Sequence, residues 1–123
     1  MKKILVVDDE AEYRGAVVAI LKGGGYATLE ADNGIDALDV ALKEEPALII
    51  SDVMMSSASG FMLREFLKQD KRTAEIPVIL MTGKAQKAGA WESEADVGYL
   101  AKPFAAADLL DAVDRSLNHK GAS

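Results

Sequence analysis

The chain contains no cysteine and only one histidine among its 123 residues. Thiol catalysis, disulfide cross-links and cysteine-bound metal are excluded. It also has no run of Lys and Arg: 14 basic residues face 20 acidic ones, a formal charge of −6 at pH 7. Phosphate backbones are gripped by clustered cations, so no nucleic-acid surface is expected. Long apolar runs are missing as well. Ile4 to Val7 supplies four apolar residues before Asp8, Asp9 and Glu10, whereas a secretory signal needs about 7 to 15. The longest run, Ala16 to Leu21, falls far short of the roughly 20 residues of a membrane helix. These absences predict a soluble, cytoplasmic protein without membrane contact, whose partner is another protein or a cation.

What is present is half apolar, enough at this length for one compact domain. Short β-branched runs alternate with longer stretches of helical period, the pattern of βα units around a parallel sheet with helices on both faces. The expected strands are Lys3 to Val7, Ala27 to Ala31, Leu48 to Ser51, Val78 to Met81 and Gly98 to Ala101. Tyr13, Ala16, Val17, Ile20 and Leu21 form one apolar helix face, which Gly23, Gly24 and Gly25 terminate. Asn33 caps a second helix that turns Ile35, Leu38 and Leu42 inward and ends near Glu44. A third carries Leu63, Phe66 and Leu67, and a last one Leu109, Leu110, Val113 and Leu117. Between the fourth and fifth strands, Lys84 to Val97 has a weak helical pattern and predicts a short or mobile helix. His119 to Ser123 reads as a frayed tail of a single domain covering residues 1–123.

In an open parallel sheet the loops at the carboxyl ends of the strands build the site. Those ends carry Asp8, Asp9 and Glu10 after the first strand, Asp52 after the third, Thr82 and Gly83 after the fourth, and Lys102 and Pro103 after the fifth. Each alone reads more readily as a turn former or helix cap than as a functional group. Together they bring acids, a hydroxyl and an ammonium to one edge. Asp8, Asp9 and Asp52 would repel one another unless a cation intervened. Mg²⁺ suits such a site, because it accepts carboxylate oxygens and leaves room for a phosphate oxygen. With Lys102 it would bring the local formal charge from −3 to zero. A carboxylate nucleophile beside a hard cation, a hydroxyl and an ammonium fits in-line phosphoryl transfer to Asp.

Four stretches carry a more specific signal: Ile4-Leu5-Val6-Val7-Asp8-Asp9-Glu10; Ser51-Asp52-Val53-Met54-Met55 with Gly60 eight residues after the Asp; Met81-Thr82-Gly83; and Tyr99-Leu100-Ala101-Lys102-Pro103-Phe104. In this order and at this spacing, they resemble the receiver domain of bacterial response regulators in two-component phosphorelays. The resemblance implies a doubly wound, flavodoxin-like sheet of five strands in the order 2-1-3-4-5. It implies that Asp52 accepts a phosphoryl group from a sensor histidine kinase or a histidine phosphotransfer protein. Asp8, Asp9, Asp52 and the backbone carbonyl of Met54 would hold Mg²⁺. Thr82 and Lys102 would bind the phosphoryl oxygens, and Thr82 with Tyr99 would form the switch. The Lys102 to Pro103 peptide is expected to be cis, as cis bonds belong to proline. A receiver catalyses its own phosphorylation and slow dephosphorylation, turns over no external substrate, and signals to a downstream protein, in some cases as a phosphorylation-dependent dimer.

The chain departs from the family pattern at Ser56, where Pro is common, at Gly83, where Ala is usual, in a shortened spacing from Thr82 to Lys102, and at Ala105, where losing a helix cap costs about 1 kcal/mol. Met54, Met55 and Trp91 read as packing residues and His119 as solvated. Two other classes compete. A phosphatase of the haloacid dehalogenase type needs a second Asp two residues after the nucleophile, where this chain has Met54. A flavodoxin-like nucleotide binder needs a phosphate-cradling loop after the first strand, where it has three acids. A receiver cut from a larger regulator or hybrid kinase, and a docking scaffold indifferent to phosphorylation, both stay open.

Overall fold

The computed structural model of the chain describes residues 2–53, 60–82, 97–101 and 104–122. The expectations placed on 84–96, Met54, Met55, Ser56, Gly83, Lys102 and Pro103 lie outside the described residues. The elements are β1 (Lys3–Val7), α1 (Ala11–Gly23), β2 (Ala27–Ala31), α2 (Gly34–Glu44), β3 (Leu48–Asp52), α3 (Gly60–Lys68), β4 (Val78–Thr82), β5 (Val97–Ala101) and α4 (Ala106–Ala122). All strand pairs are parallel, and the sheet runs β2-β1-β3-β4-β5, the flavodoxin-like order. The last helix runs to Ala122 and so takes in most of the stretch from His119 to Ser123 expected to fray.

Strand composition explains the layering. Central strands of a parallel sheet are covered on both faces and read as continuous apolar runs, and β3 and β4 are buried at every position. Alternation then divides them between two cores. Leu5, Val7, Ile49, Val78 and Leu80 pack with Ala37, Ala41, Leu63 and Leu67 of α2 and α3. Ile4, Val6, Leu48, Ile50, Ile79 and Met81 pack on the opposite face with Val17, Val18 and Leu21 of α1 and Leu109 and Val113 of α4. Each such side chain contributes roughly 1.5–3 kcal/mol of hydrophobic stabilisation. Tyr13 and Phe104 meet edge to face, with centroids 5.9 Å apart, and join α1 to the chain entering α4.

Helix ends follow their local chemistry. The Asn33 side chain accepts the Asp36 amide at 2.8 Å, the expected cap of α2. The three glycines do end α1, with Gly25 at φ 92°, a conformation other residues avoid. Ala105 offers no cap, but its amide donates to Asp108 Oδ2 at 3.3 Å, which keeps half of a capping box. The inward faces of α1 and α2 differ from expectation. Ile35 is 64% exposed, and Gly34, Ala37 and Ala41 are the fully buried residues of α2. Small residues let that helix approach the sheet closely, which turns the bulky stripe sideways. In α1 the exposed Ala16 gives its place to Val18, and Phe66 of α3 is 37% exposed. Among the described residues, no helix is long and apolar enough to cross a membrane.

After α3 the chain turns on polar contacts. Thr73, 1% exposed, donates its Oγ1 proton to the Leu67 carbonyl at 2.6 Å. Thr73→Val removes that donor from a helix-end carbonyl and is expected to cost about 1–2 kcal/mol in urea denaturation. In the same turn, Asp70 accepts hydrogen bonds from the Arg72 side chain and amide, which hold its carboxyl down at about 2, from an ordinary 3.8. A lowered carboxyl stabilises the fold above its unfolded value, and that contribution is lost as pH falls from there through the folded value. A side-chain NMR titration should place the Asp70 midpoint at about 2, and Arg72→Met should return it toward 3.8.

Candidate functional site

The strand order reverses between β1 and β3, so the crevice of this sheet opens at their carboxyl ends. Pairing of Val7 with Ser51 and of Asp52 with Met81 brings the ends of β1, β3 and β4 side by side. Asp8 follows β1 and is fully buried, Asp52 ends β3 at 7% exposure, and Thr82 ends β4 at 2%. Carboxylate oxygens of Asp8, Glu10 and Asp52 lie within 4.8 Å of one another. Asp9, expected among the ligands, is exposed and not part of this group; Glu10, to which sequence reasoning gave no role, occupies the third place. Tyr99 takes its position in β5, in register with Leu80. Its side chain, like Lys102, Pro103 and Met54, lies outside what the structure describes.

Each carboxylate is set by backbone contacts. The Asp8 amide donates to the Ala31 carbonyl at 3.2 Å, which extends the β1–β2 pairing by one residue. Asp8 Oδ1 accepts the Glu10 amide at 2.9 Å, turning the chain back on itself before α1. Arg14 Nη1 donates to the Asp8 carbonyl at 2.7 Å, and its Nε to Glu30 Oε1 at 3.0 Å. At Asp52, the hydroxyl of the buried Ser51 donates to the Asp52 carbonyl at 3.0 Å. The Val53 amide donates to Met81 at 3.1 Å, and the Gly60 amide to Val53 at 3.0 Å, so α3 begins hard against the end of β3. Sequence reasoning missed Arg14 and Ser51. Both act through main-chain carbonyls, and no periodicity or spacing announces a contact of that kind.

Two buried carboxylates beside a third make an electrostatic problem, since they concentrate like charge at short range. A divalent cation resolves it. Carboxylate oxygens from three acids gathered this closely are the hard donor set that Mg²⁺ would take. The site can thus hold a hard cation next to a nearly buried carboxylate that ends a strand, with a buried hydroxyl on the adjacent strand.

Comparison with known proteins agrees with this geometry. Residues 4–114 match the model of the response regulator receiver domain family. The chain is 37% identical over 123 residues to the phosphate regulon transcriptional regulatory protein PhoB of Pseudomonas aeruginosa, covering 98% of this chain and 53% of PhoB. It is 33% identical over 119 residues to Protein PilH of the same organism, covering 95% of this chain and 98% of PilH. The chain therefore spans about half the length of PhoB and nearly all of PilH. Among solved structures, the receiver domain of the sensor histidine kinase PA1611 of P. aeruginosa, with magnesium coordinated in its active-site cleft, superposes with a TM-score of 0.85 at 26% identity, covering 95% of this chain and 98% of that one.

Gly60 carries the tightest steric condition at the site. A Cβ there would lie 2.7 Å from the Asp52 carbonyl oxygen and 2.8 Å from Leu80 Cδ2. Gly60→Ala is expected to destabilise the protein by about 1–3 kcal/mol, because backbone on one side cannot yield. Urea denaturation checks this, and an alanine variant as stable as the parent would contradict the close approach of α3 to β3.

Proposed function

The chain belongs to the response regulator receiver domain family of two-component systems, and from that premise we propose that Asp52 is its phospho-acceptor. The observation that carries the proposal is the convergence of the Asp8, Glu10 and Asp52 oxygens within 4.8 Å at the switch point of the sheet. One Asp52 oxygen attacks the phosphorus of a phosphohistidine on a sensor histidine kinase or histidine phosphotransfer protein. An O–P bond forms in line with the P–N bond that breaks, and the imidazole leaves. When bound, Mg²⁺ offsets the carboxylate charge and draws the phosphoryl oxygens toward the acceptor. Asp8, Asp9, Asp52 and the backbone carbonyl of Met54 would hold it, and Glu10, whose carboxylate lies in the same cluster, would be a further ligand. Thr82 and Lys102 receive the phosphoryl oxygens, and Thr82 with Tyr99 reports the modification to the surface formed by the fifth strand and its flanking helices.

The chemistry ends on the protein itself, with slow hydrolysis and no external substrate. Its output passes to a downstream protein. The match to half of PhoB, and the likeness to a receiver domain of a sensor kinase, support the alternative of a receiver within a larger regulator. The charge balance of −6 favours protein over nucleic acid as the direct partner of these residues, and a phosphohistidine donor implies a cytoplasmic setting.

Incubation with acetyl phosphate and Mg²⁺ is expected to add one phosphoryl mass to the protein, to add none after chelation of the metal, and none to Asp52→Asn. Equal labelling of the Asn variant would refute Asp52 as the acceptor.

A further inference from the structure

The peptide of Asp8 is held from both ends. Its amide is fixed to Ala31 at 3.2 Å, and its carbonyl, at a strand end where the ladder with β3 has stopped at Val7 and Ser51, accepts Arg14 Nη1 at 2.7 Å. That distance marks a short, charge-assisted hydrogen bond. The guanidinium is in turn aimed by Glu30, whose Oε1 takes the Nε proton at 3.0 Å. The Arg14 side chain is only 19% exposed, against 49% for Glu30, so its hydrogen bond to the carbonyl is largely shielded from competing water. Arg14 also sits one helical turn after Glu10, its amide donating to the Glu10 carbonyl at 2.9 Å. The residue therefore grips both sides of the three-residue loop that carries Asp8 and Glu10.

Resting on the receiver reading above, we infer that Arg14 is a positioning residue for the metal site: by pinning the Asp8 carbonyl it fixes the rotation of the Asp8 to Asp9 peptide, and with it the approach of the Asp8 and Glu10 carboxylates to Asp52. The Glu10 amide that donates to Asp8 Oδ1 at 2.9 Å transmits this constraint, because rotating the peptide separates that pair and opens the cluster. Hydrogen-bonded supports behind metal ligands matter in this way, since a ligand left free to rotate meets the ion only part of the time.

Two effects of the guanidinium on a bound cation have opposite signs, which makes the inference decidable. As a nearby positive charge, Arg14 repels Mg²⁺, and its neutralisation alone would tighten binding. As a positioning group, its loss loosens the ligands and weakens binding. Arg14→Met keeps most of the side chain's length and removes the charge and the donors. Calorimetric titration with Mg²⁺ alone is expected to show affinity lower by about tenfold, with Arg14→Lys recovering part of the loss through its single ammonium donor. Thermal melts without metal establish that the variants are folded. A folded Arg14→Met protein that binds Mg²⁺ as tightly as the parent, or tighter, overturns the inference. A second readout needs no variant: in the wild-type protein the Arg14 Nε–H resonance is expected to shift on adding Mg²⁺ together with the Asp8 and Glu10 amides. If those amides move and Arg14 does not, the inference fails while the receiver reading stands. A wild-type protein that binds no Mg²⁺ removes both.

Discussion

Asp8 and Asp52 are withdrawn from solvent at the ends of neighbouring parallel strands, and most features of the carboxyl edge follow from keeping two acids there. Burial raises the energy of each charged form, and proximity raises it again. The chain does not relieve this by separating the groups. The pairing of Val7 with Ser51 fixes the two strand ends side by side, and Glu10 brings a third carboxylate to the same place. A structure that concentrates like charge against its own electrostatic preference is built for a ligand of opposite charge. The same argument does not apply to Glu30, Asp32, Asp36 and Asp39, which are exposed, with Glu30 paired to Arg14 and Asp39 to Lys43.

Precision at that edge comes from main-chain contacts more than from side-chain packing. Ser51 and Arg14 each donate to the carbonyl of an acidic residue, and the Gly60 amide reaches the carbonyl of Val53. These contacts use the peptide as the handle by which a carboxylate is aimed. Gly60 belongs to the same scheme through absence: without a Cβ, α3 starts within contact distance of the Asp52 carbonyl. The loop after β1, Asp8 to Glu10, is held by hydrogen bonds where the site is assembled.

The sheet was legible in the residues because buried parallel strands leave a continuous apolar signature, and Leu48 to Ile50 or Val78 to Met81 admit few other readings. The Asn33 cap and the glycine stop of α1 were legible for a similar reason, as single residue types with specific backbone roles. The face of α2 was not. Ile35 has the size of a core residue, but Gly34, Ala37 and Ala41 form the stripe that meets the sheet, and close approach selects small residues that periodicity weighs lightly. At the site, the edge acids Asp8 and Asp52 followed from topology, whereas the place of Glu10 in the carboxylate cluster depends on the turn that Asp8 Oδ1 makes with the Glu10 amide. Neither residue's composition nor its spacing encodes that turn.

The division of the interior into two cores bears on how such a site can act. Each core holds its helices to the sheet through many large side chains, among them Leu63 and Leu67 on one face and Leu21 and Leu109 on the other. At roughly 1.5–3 kcal/mol for each, their sum far exceeds the repulsion among a few carboxylates partly screened at a crevice. Neutralising or adding charge at the edge therefore leaves the helices docked. Among the described residues, what such a charge can shift most easily is the set of groups held by hydrogen bonds at the strand ends, the peptides of Asp8 and Asp52 among them. The route proposed through Thr82 and Tyr99 has the same character, since both belong to strands at this edge of the sheet and neither requires the close-packed cores beneath to rearrange.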